Sequence, residues 1–290
     1  MEESKFVSTT LLPIALFLIM TGIGMSSSFK NFKLLFTYPK AFLVGLINQN
    51  ILLPLLGAWL ISQLPLSYPI QLGLFLIILC PSGTASNIIT KMIGGNLELS
   101  VLLTTISNFT AILLIPIYLQ LFGNYIDHTE TELNLPIFSL LNSIFWSTVF
   151  PVSIGLILRH YFPKSIDRGK VFLKWFIPGT LFLIFFLILV FDGGDPQPNE
   201  WLDNLGIAAA LNLGLLSMVG LIVRTFKLTP KNQLAVIIEG GLKNSAIGLY
   251  ISASLLESPE TSTVLIAYGL VSFYLSLAFG WIWSRSTEAP

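Results

Sequence analysis

The chain has 290 residues, 54% of them hydrophobic and 10% charged, and its 15 basic residues balance 15 acidic ones. Soluble domains carry roughly 25% charged residues, so a water-soluble globular fold is excluded, and a net charge of zero offers no basic surface to nucleic acid. The one cysteine, Cys80, excludes an internal disulfide framework and, in its apolar stretch, is expected to pack as a small hydrophobe.

Apolar runs of about 20 residues recur along the chain, the length that crosses a ~30 Å hydrocarbon core at ~1.5 Å per residue. Lipid offers the backbone no hydrogen-bond partners, and the runs are too long and too little alternating for barrel strands. The expected fold is therefore an all-α membrane protein. Nine hydrophobic elements can be read in order: Phe6–Ser26, Ala41–Leu64, Ile70–Gly94, Leu97–Phe122, Leu135–Tyr161, Val171–Phe191, Leu202–Val223, Thr229–Leu256 and Ser262–Trp283. Glu2 and Glu3 precede the first, opposite to the basic start of a secretory signal, and no small-residue cleavage pattern follows, so that span is expected to be retained. No linker divides the chain, which reads as one transmembrane domain over 1–290.

The third element carries Pro81, Gly83, Gly94 and Gly95, and the eighth carries Gly240 and Gly241 beside Glu239 and Lys243. Both read as helices broken near mid-membrane, a feature tolerated where freed backbone groups line a cavity and typical of transporter sites. Because the two elements are five apart in the series, the halves would run in opposite senses, an inverted repeat. Elements one to four would match six to nine, leaving the fifth unpartnered and one half short of its first helix. With the N-terminus outside, Lys30, Lys33, Lys40, Lys91, Arg159, Lys164, Arg168, Lys170, Lys174, Arg224, Lys227, Lys231 and Arg285 fall on the cytoplasmic side. The acidic loops Asp127–Glu132, Asp192–Asp203 and Glu257–Glu260 then fall outside, in accord with the positive-inside rule. The C-terminus would be cytoplasmic.

Only Glu239 and Lys243 are charged deep within the apolar elements, at about 2.5 to 3.5 kcal/mol each for insertion at a helix centre. If the helix continued through Gly240 and Gly241, their i,i+4 spacing would let them neutralise each other structurally; the other reading is an ion or solute path. The segment Pro81–Asn87 concentrates hydroxyl and amide oxygens, and Ser100 and Thr104 share one face of the following helix. Hard oxygen donors suit a hard cation, although any one Ser or Thr serves equally well as interhelical glue. Gln49 and Asn50, ahead of Pro54, form a further polar pair in an apolar span.

Pro81–Asn87, Gly94-Gly95-Asn96, Leu99-Ser100-Val101 and Glu239-Gly-Gly-Leu-Lys-Asn244 resemble the bile acid:sodium symporter (BASS/SBF) family, in particular its bacterial ASBT-like homologues. Met20–Met25 followed by Phe32–Lys40 resembles that family's second helix, so the resemblance implies that the first of ten is missing here. It also implies a core (41–122 and 202–283) containing two crossed discontinuous helices, which rocks against a panel (6–26 and 135–191) to give alternating access. Ser86, Asn87, Ser100, Thr104 and Glu239 would form the first sodium site. Gln49, Glu239 and backbone carbonyls near Gly240 and Leu242 would form a second, except that Lys243 stands where the family has glutamine. A resident ammonium disfavours a second cation, so one sodium ion is expected, with Lys243 replacing the other; sodium-independent or proton-coupled transport is the alternative. Thr84 and Asn244 would bind the solute, a small carboxylate or a bile-acid-like anion. Leu275 and Ser276 stand where bile-acid-binding relatives would carry a His-Asn pair. The implied partners are an organic anion and the lipid bilayer, with no protein partner evident, and the bacterial cytoplasmic membrane is the expected location.

An enzyme is not expected. No HExxH occurs, the histidines His128 and His160 fall near predicted membrane edges, and the SxxK of Ser27–Lys30 lies in a juxtamembrane loop. A channel would need a continuous polar stripe, whereas these polar residues cluster at one depth. Trp59, Trp146, Trp175, Trp201, Trp281 and Trp283 mostly fall near predicted helix ends, as an interfacial belt requires.

Overall fold

The computed structural model describes residues 6–27, 35–126, 137–169, 179–180, 183, 186 and 198–288. A π-helical turn, Val7–Leu11, leads into α1 (Leu12–Ser26). Then follow α2 (Pro39–Ile47), a π turn (Asn48–Leu52) and α3 (Leu53–Ser62). Next come α4 (Tyr68–Leu79), α5 (Thr84–Met92) and the long α6 (Leu97–Ile126). α7 (Ile137–Ile144) passes through the π turn Phe145–Val149 into α8 (Phe150–Tyr161). The chain closes with α9 (Pro198–Thr225), α10 (Pro230–Gly241), α11 (Ser245–Tyr250) with its π turn Ile251–Leu255, and α12 (Pro259–Glu288).

Among the described residues, six helices are long and apolar enough to cross a membrane: Thr9–Ser26, Pro39–Ser62, Leu97–Leu121, Phe138–Tyr161, Glu200–Thr225 and Pro259–Thr287. This corrects the expected nine. An apolar run counts as a crossing only if its backbone is one continuous helix, and the third and eighth elements are each split into two short helices. The repeat pairing that depended on nine spans falls with the count. The sixth element, 171–191, lies outside the described residues apart from 179, 180, 183 and 186, as do Lys5, Lys30, Lys33, Asp127–Glu132, His128, Lys170, Lys174 and Trp175.

Three π turns run into a proline at the start of the next α-helix, at Pro13, Pro54 and Pro151. Proline has no N–H to return to the carbonyl four residues back, and the helix widens locally to accommodate this. The Asn50 carbonyl ahead of Pro54 is taken instead by the Tyr118 hydroxyl at 2.7 Å.

α1 packs against α8 at glycine: a Cβ at Gly24 would sit 2.1 Å from the Val152 carbonyl oxygen, and one at Gly155 would sit 2.1 Å from that of Thr21. Membrane helices associate by such close backbone approach rather than by hydrophobic burial. At the far ends of α9 and α12, the Arg224 guanidinium lies over the Trp283 ring at 4.1 Å and that of Arg285 over Trp281 at 3.6 Å, the amphipathic pairing expected at a membrane boundary.

Candidate functional site

The two helix breaks meet. α4 ends at Cys80, whose ψ of 141° leaves the helical region, and α5 begins after Gly83. α10 ends at Gly241, and Leu242 turns extended at φ −100°, ψ 94°. The extended residues pair with each other: Ser82 and Lys243 form an isolated antiparallel bridge, and the Asn244 N–H donates to the Pro81 carbonyl at 2.8 Å.

Breaking a helix in the membrane frees carbonyls that need donors. The Gly241 carbonyl accepts from the Tyr268 hydroxyl and from Asn212 Nδ2 at 2.8 Å. The Lys243 N–H in turn donates to the Tyr268 oxygen at 3.3 Å, and Asn108 Nδ2 reaches the Ser82 carbonyl at 3.4 Å. Gly240 and Gly241 are glycines for want of room: a Cβ on Gly241 would lie 2.3 Å from Leu216 Cδ2, and one on Gly240 would lie 2.7 Å from Val219 Cγ2, both on α9.

Glu239, in the last turn of α10, is fully buried. Its Oε1 accepts from Ser86 Oγ at 2.5 Å and from Ser100 Oγ at 2.6 Å, its Oε2 accepts from Ser82 Oγ, and Thr104 Oγ1 lies 3.0 Å from both oxygens. Four hydroxyls from the first break, α5 and α6 thus converge on one carboxylate. Asn87 stands behind them, its Oδ1 lying 2.8 Å from Ser100 Oγ and 3.4 Å from Thr104 Oγ1. Ser86 lies in the first turn of α5, and Ser100 and Thr104 are one turn apart on α6, so each side chain is aimed by a helix. A hydroxyl that donates to a carboxylate keeps lone pairs to offer a cation, so this set of hard oxygens fits a small hard ion.

The remaining expected residues lie elsewhere. Glu239 and Lys243 form no ion pair within 4 Å, because the helix that would have stacked them ends at Gly241. Lys243 instead lines a small cavity with Gln49, and both amide atoms of Gln49 are buried without a hydrogen-bond partner, so Gln49 makes no bond to Glu239. Gly240 and Leu242 are buried in the break. Thr84 opens α5, and Asn244 caps α11 by accepting from the Ala246 N–H at 3.2 Å.

Several contributors were not anticipated. Ser82, inside the noted segment, bonds Glu239 directly. Asn212 and Tyr268 satisfy the second break, and Asn48, beside the noted Gln49-Asn50 pair, is fully buried with neither amide atom bonded. The available signal for Asn48 and Asn212 was that each is an uncommon polar residue in an apolar span.

Comparison with known proteins places the chain in a family. The model of the Sodium Bile acid symporter family matches residues 13–194. The "Uncharacterized sodium-dependent transporter YocS" of Bacillus subtilis (strain 168) is 30% identical over 244 residues, covering 83% of this chain and 73% of that protein. The "Probable sodium/metabolite cotransporter BASS2, chloroplastic" of Oryza sativa subsp. japonica is 31% identical over 163 residues, 56% of this chain and 38% of its own length. The "Ileal sodium/bile acid cotransporter" of Homo sapiens is 29% identical over 284 residues, 94% of this chain and 77% of its own.

Proposed function

Because this chain belongs to the Sodium Bile acid symporter family, we propose that it carries a small organic anion across a membrane by alternating access, with sodium as the co-transported ion. It is a multi-pass membrane transporter and not an enzyme. The observation that carries the proposal is the Glu239 carboxylate held by four hydroxyls where two broken helices meet. Ser86, Asn87, Ser100, Thr104 and Glu239 would hold the sodium ion. A charge buried this deeply in the membrane is costly to keep without function, and a carboxylate among neutral oxygens selects a cation.

Lys243 takes the place of a second ion. Its ammonium stands beside the break and repels another cation, so one sodium moves per cycle, and Gln49, Gly240 and Leu242 frame this lysine rather than a metal. Changing Lys243→Gln is expected to add a second sodium response to thermal unfolding; an unchanged sodium titration counts against the substitution.

The moving parts are a core of 41–122 with 202–283 and a panel of 6–26 with 135–191. A cavity of about 440 Å³ lined by panel residues such as Phe17, Asn142 and Trp146 and reached by Tyr250 of the core supports this, since it falls in the ~300–1,000 Å³ range of small-molecule sites. Thr84 and Asn244, at the starts of α5 and α11, would contact the solute. Basic residues at helix ends, such as Lys91, Arg159, Arg224 and Arg285, support a cytoplasmic C-terminus and an external N-terminus, with the bacterial cytoplasmic membrane as the setting. Counterflow of labelled carboxylates in proteoliposomes, driven by a sodium gradient and compared with a proton gradient, tests the whole reading. Uptake driven by protons alone would replace it with the proton-coupled alternative.

A further inference from the structure

Next to the crossover, and further along α6 than the hydroxyls that hold Glu239, lies a cavity of about 10 Å³ whose walls include Gln49, Asn50, Cys80, Ser107, Tyr118 and Lys243. That is room for roughly one water-sized group. Most of its polar atoms are committed: Ser107 donates to the Thr104 carbonyl at 3.1 Å, Tyr118 to the Asn50 carbonyl at 2.7 Å, and Asn50 Oδ1 accepts from Thr110 at 3.4 Å.

Two side chains are not committed. Lys243 is 4% exposed, and among the described residues no carboxylate lies within 4 Å of its ammonium. Gln49 is 5% exposed, and neither atom of its amide has a hydrogen-bond partner. A buried charge with no contact ion pair and a buried amide with no hydrogen-bond partner are both costly, and both line the same small space. What they still have to offer is N–H donors around a positive charge, the complement of a carboxylate.

We propose that Lys243 Nζ and Gln49 Nε2 form the docking point for the charged head of the solute. This deepens the sodium-transport reading and rests on it. With Glu239 and Lys243 both ionised the crossover carries no net charge. A sodium ion among the Glu239 hydroxyls makes it positive by one, and a carboxylate on Lys243 restores neutrality. The ion therefore raises affinity for the anion, and by reciprocity the anion raises affinity for the ion, without any contact between them. A space of one water's size admits one oxygen of a carboxylate and not the body of a solute, so the acid would dock head-on from the rim of the cavity.

The test is thermal unfolding of the purified protein with acetate, pyruvate and butyrate, supplied as tetramethylammonium salts at constant ionic strength, with and without sodium chloride. In sodium, at least one of the three is expected to stabilise the wild type saturably, and more weakly without sodium. Lys243→Met should weaken that response at least 30-fold and Gln49→Leu about 10-fold, while Lys243→Arg, which keeps the charge, should hold it within about 3-fold. No stabilisation of the wild type by any of the three, or an unaltered response in both Lys243→Met and Gln49→Leu, overturns the proposal. The sodium response measured in chloride alone reads the coupling reading separately: its absence in the wild type overturns that reading, whatever the carboxylates do.

Discussion

The two charged residues of the crossover sit in opposite circumstances. Every oxygen of Glu239 is occupied by hydroxyl donors brought from the first break, α5 and α6. Lys243, four positions on, makes no ion pair within 4 Å among the described residues, and the amide of its neighbour Gln49 has no hydrogen-bond partner. The first arrangement is preorganised and satisfied as it stands; the second leaves donors over. A protein that only needed to neutralise a buried acid would have paired it with its own lysine, and Gly241 prevents that by ending the helix between them. Separation, with one charge caged and the other without an ion-pair contact, would let the proposed ion and anion share one crossover.

The largest effect should come from the caged side. Glu239→Gln keeps the shape and removes the charge. Loss of a buried charge from its partners costs about 2–5 kcal/mol, so sodium affinity, read as sodium-dependent thermal stabilisation, should fall at least about 30-fold. A sodium response within about 3-fold of wild type would mean the carboxylate does not bind the ion. Next is Gly241→Val, which would press side-chain carbons into Leu216, already 2.3 Å from a Cβ at that position. Overpacking of this kind typically costs 1–3 kcal/mol, and because α10 would be pushed off α9, both halves of the crossover should suffer together. The unfolding temperature and the sodium response are expected to drop in the same variant; an unperturbed variant would show that α9 yields freely.

Smaller and more local is Tyr268→Phe. It removes the hydroxyl that donates to the Gly241 carbonyl and accepts from the Lys243 N–H, leaving Asn212 as the carbonyl's remaining donor. A cost of roughly 1–2 kcal/mol follows, together with a shift of Lys243 relative to Gln49. Carboxylate response should weaken more than sodium response, and an equal loss of both would mean the break acts as one unit.

Much of the caged side was legible because charge in lipid is expensive: Glu239, the oxygen-rich segment after Pro81, and Ser100 with Thr104 at helical spacing each break an apolar pattern. The count of spans was not legible, since hydropathy sums apolar residues across a break and cannot see that Cys80 or Leu242 leaves the helix. The Glu239–Lys243 pairing, one of two readings of these charges, was conditional on a continuous helix, and two glycines end it. Tyr268 and Asn212 were hidden for another reason: the carbonyl they serve belongs to a different helix, and nothing local marks a hydroxyl as the donor to a distant break.

The subtlest variants separate stability from function on the uncommitted side. Asn48 and Gln49 bury amide groups that bond to nothing in the protein, and a buried polar group without a partner is a cost that an apolar residue of similar shape removes. Asn48→Leu and Gln49→Leu should therefore leave thermal stability without ligand unchanged or raise it by about 1 kcal/mol. Glu239→Gln should do the reverse, because its cage was built around a charge. If Gln49→Leu is more stable yet accumulates carboxylate poorly in proteoliposomes, the idle amide is retained for a visitor, as strain and unmet bonds commonly are at working sites. If it is instead less stable by more than about 1 kcal/mol, the amide has a structural partner and the contrast between the two sides of the crossover disappears.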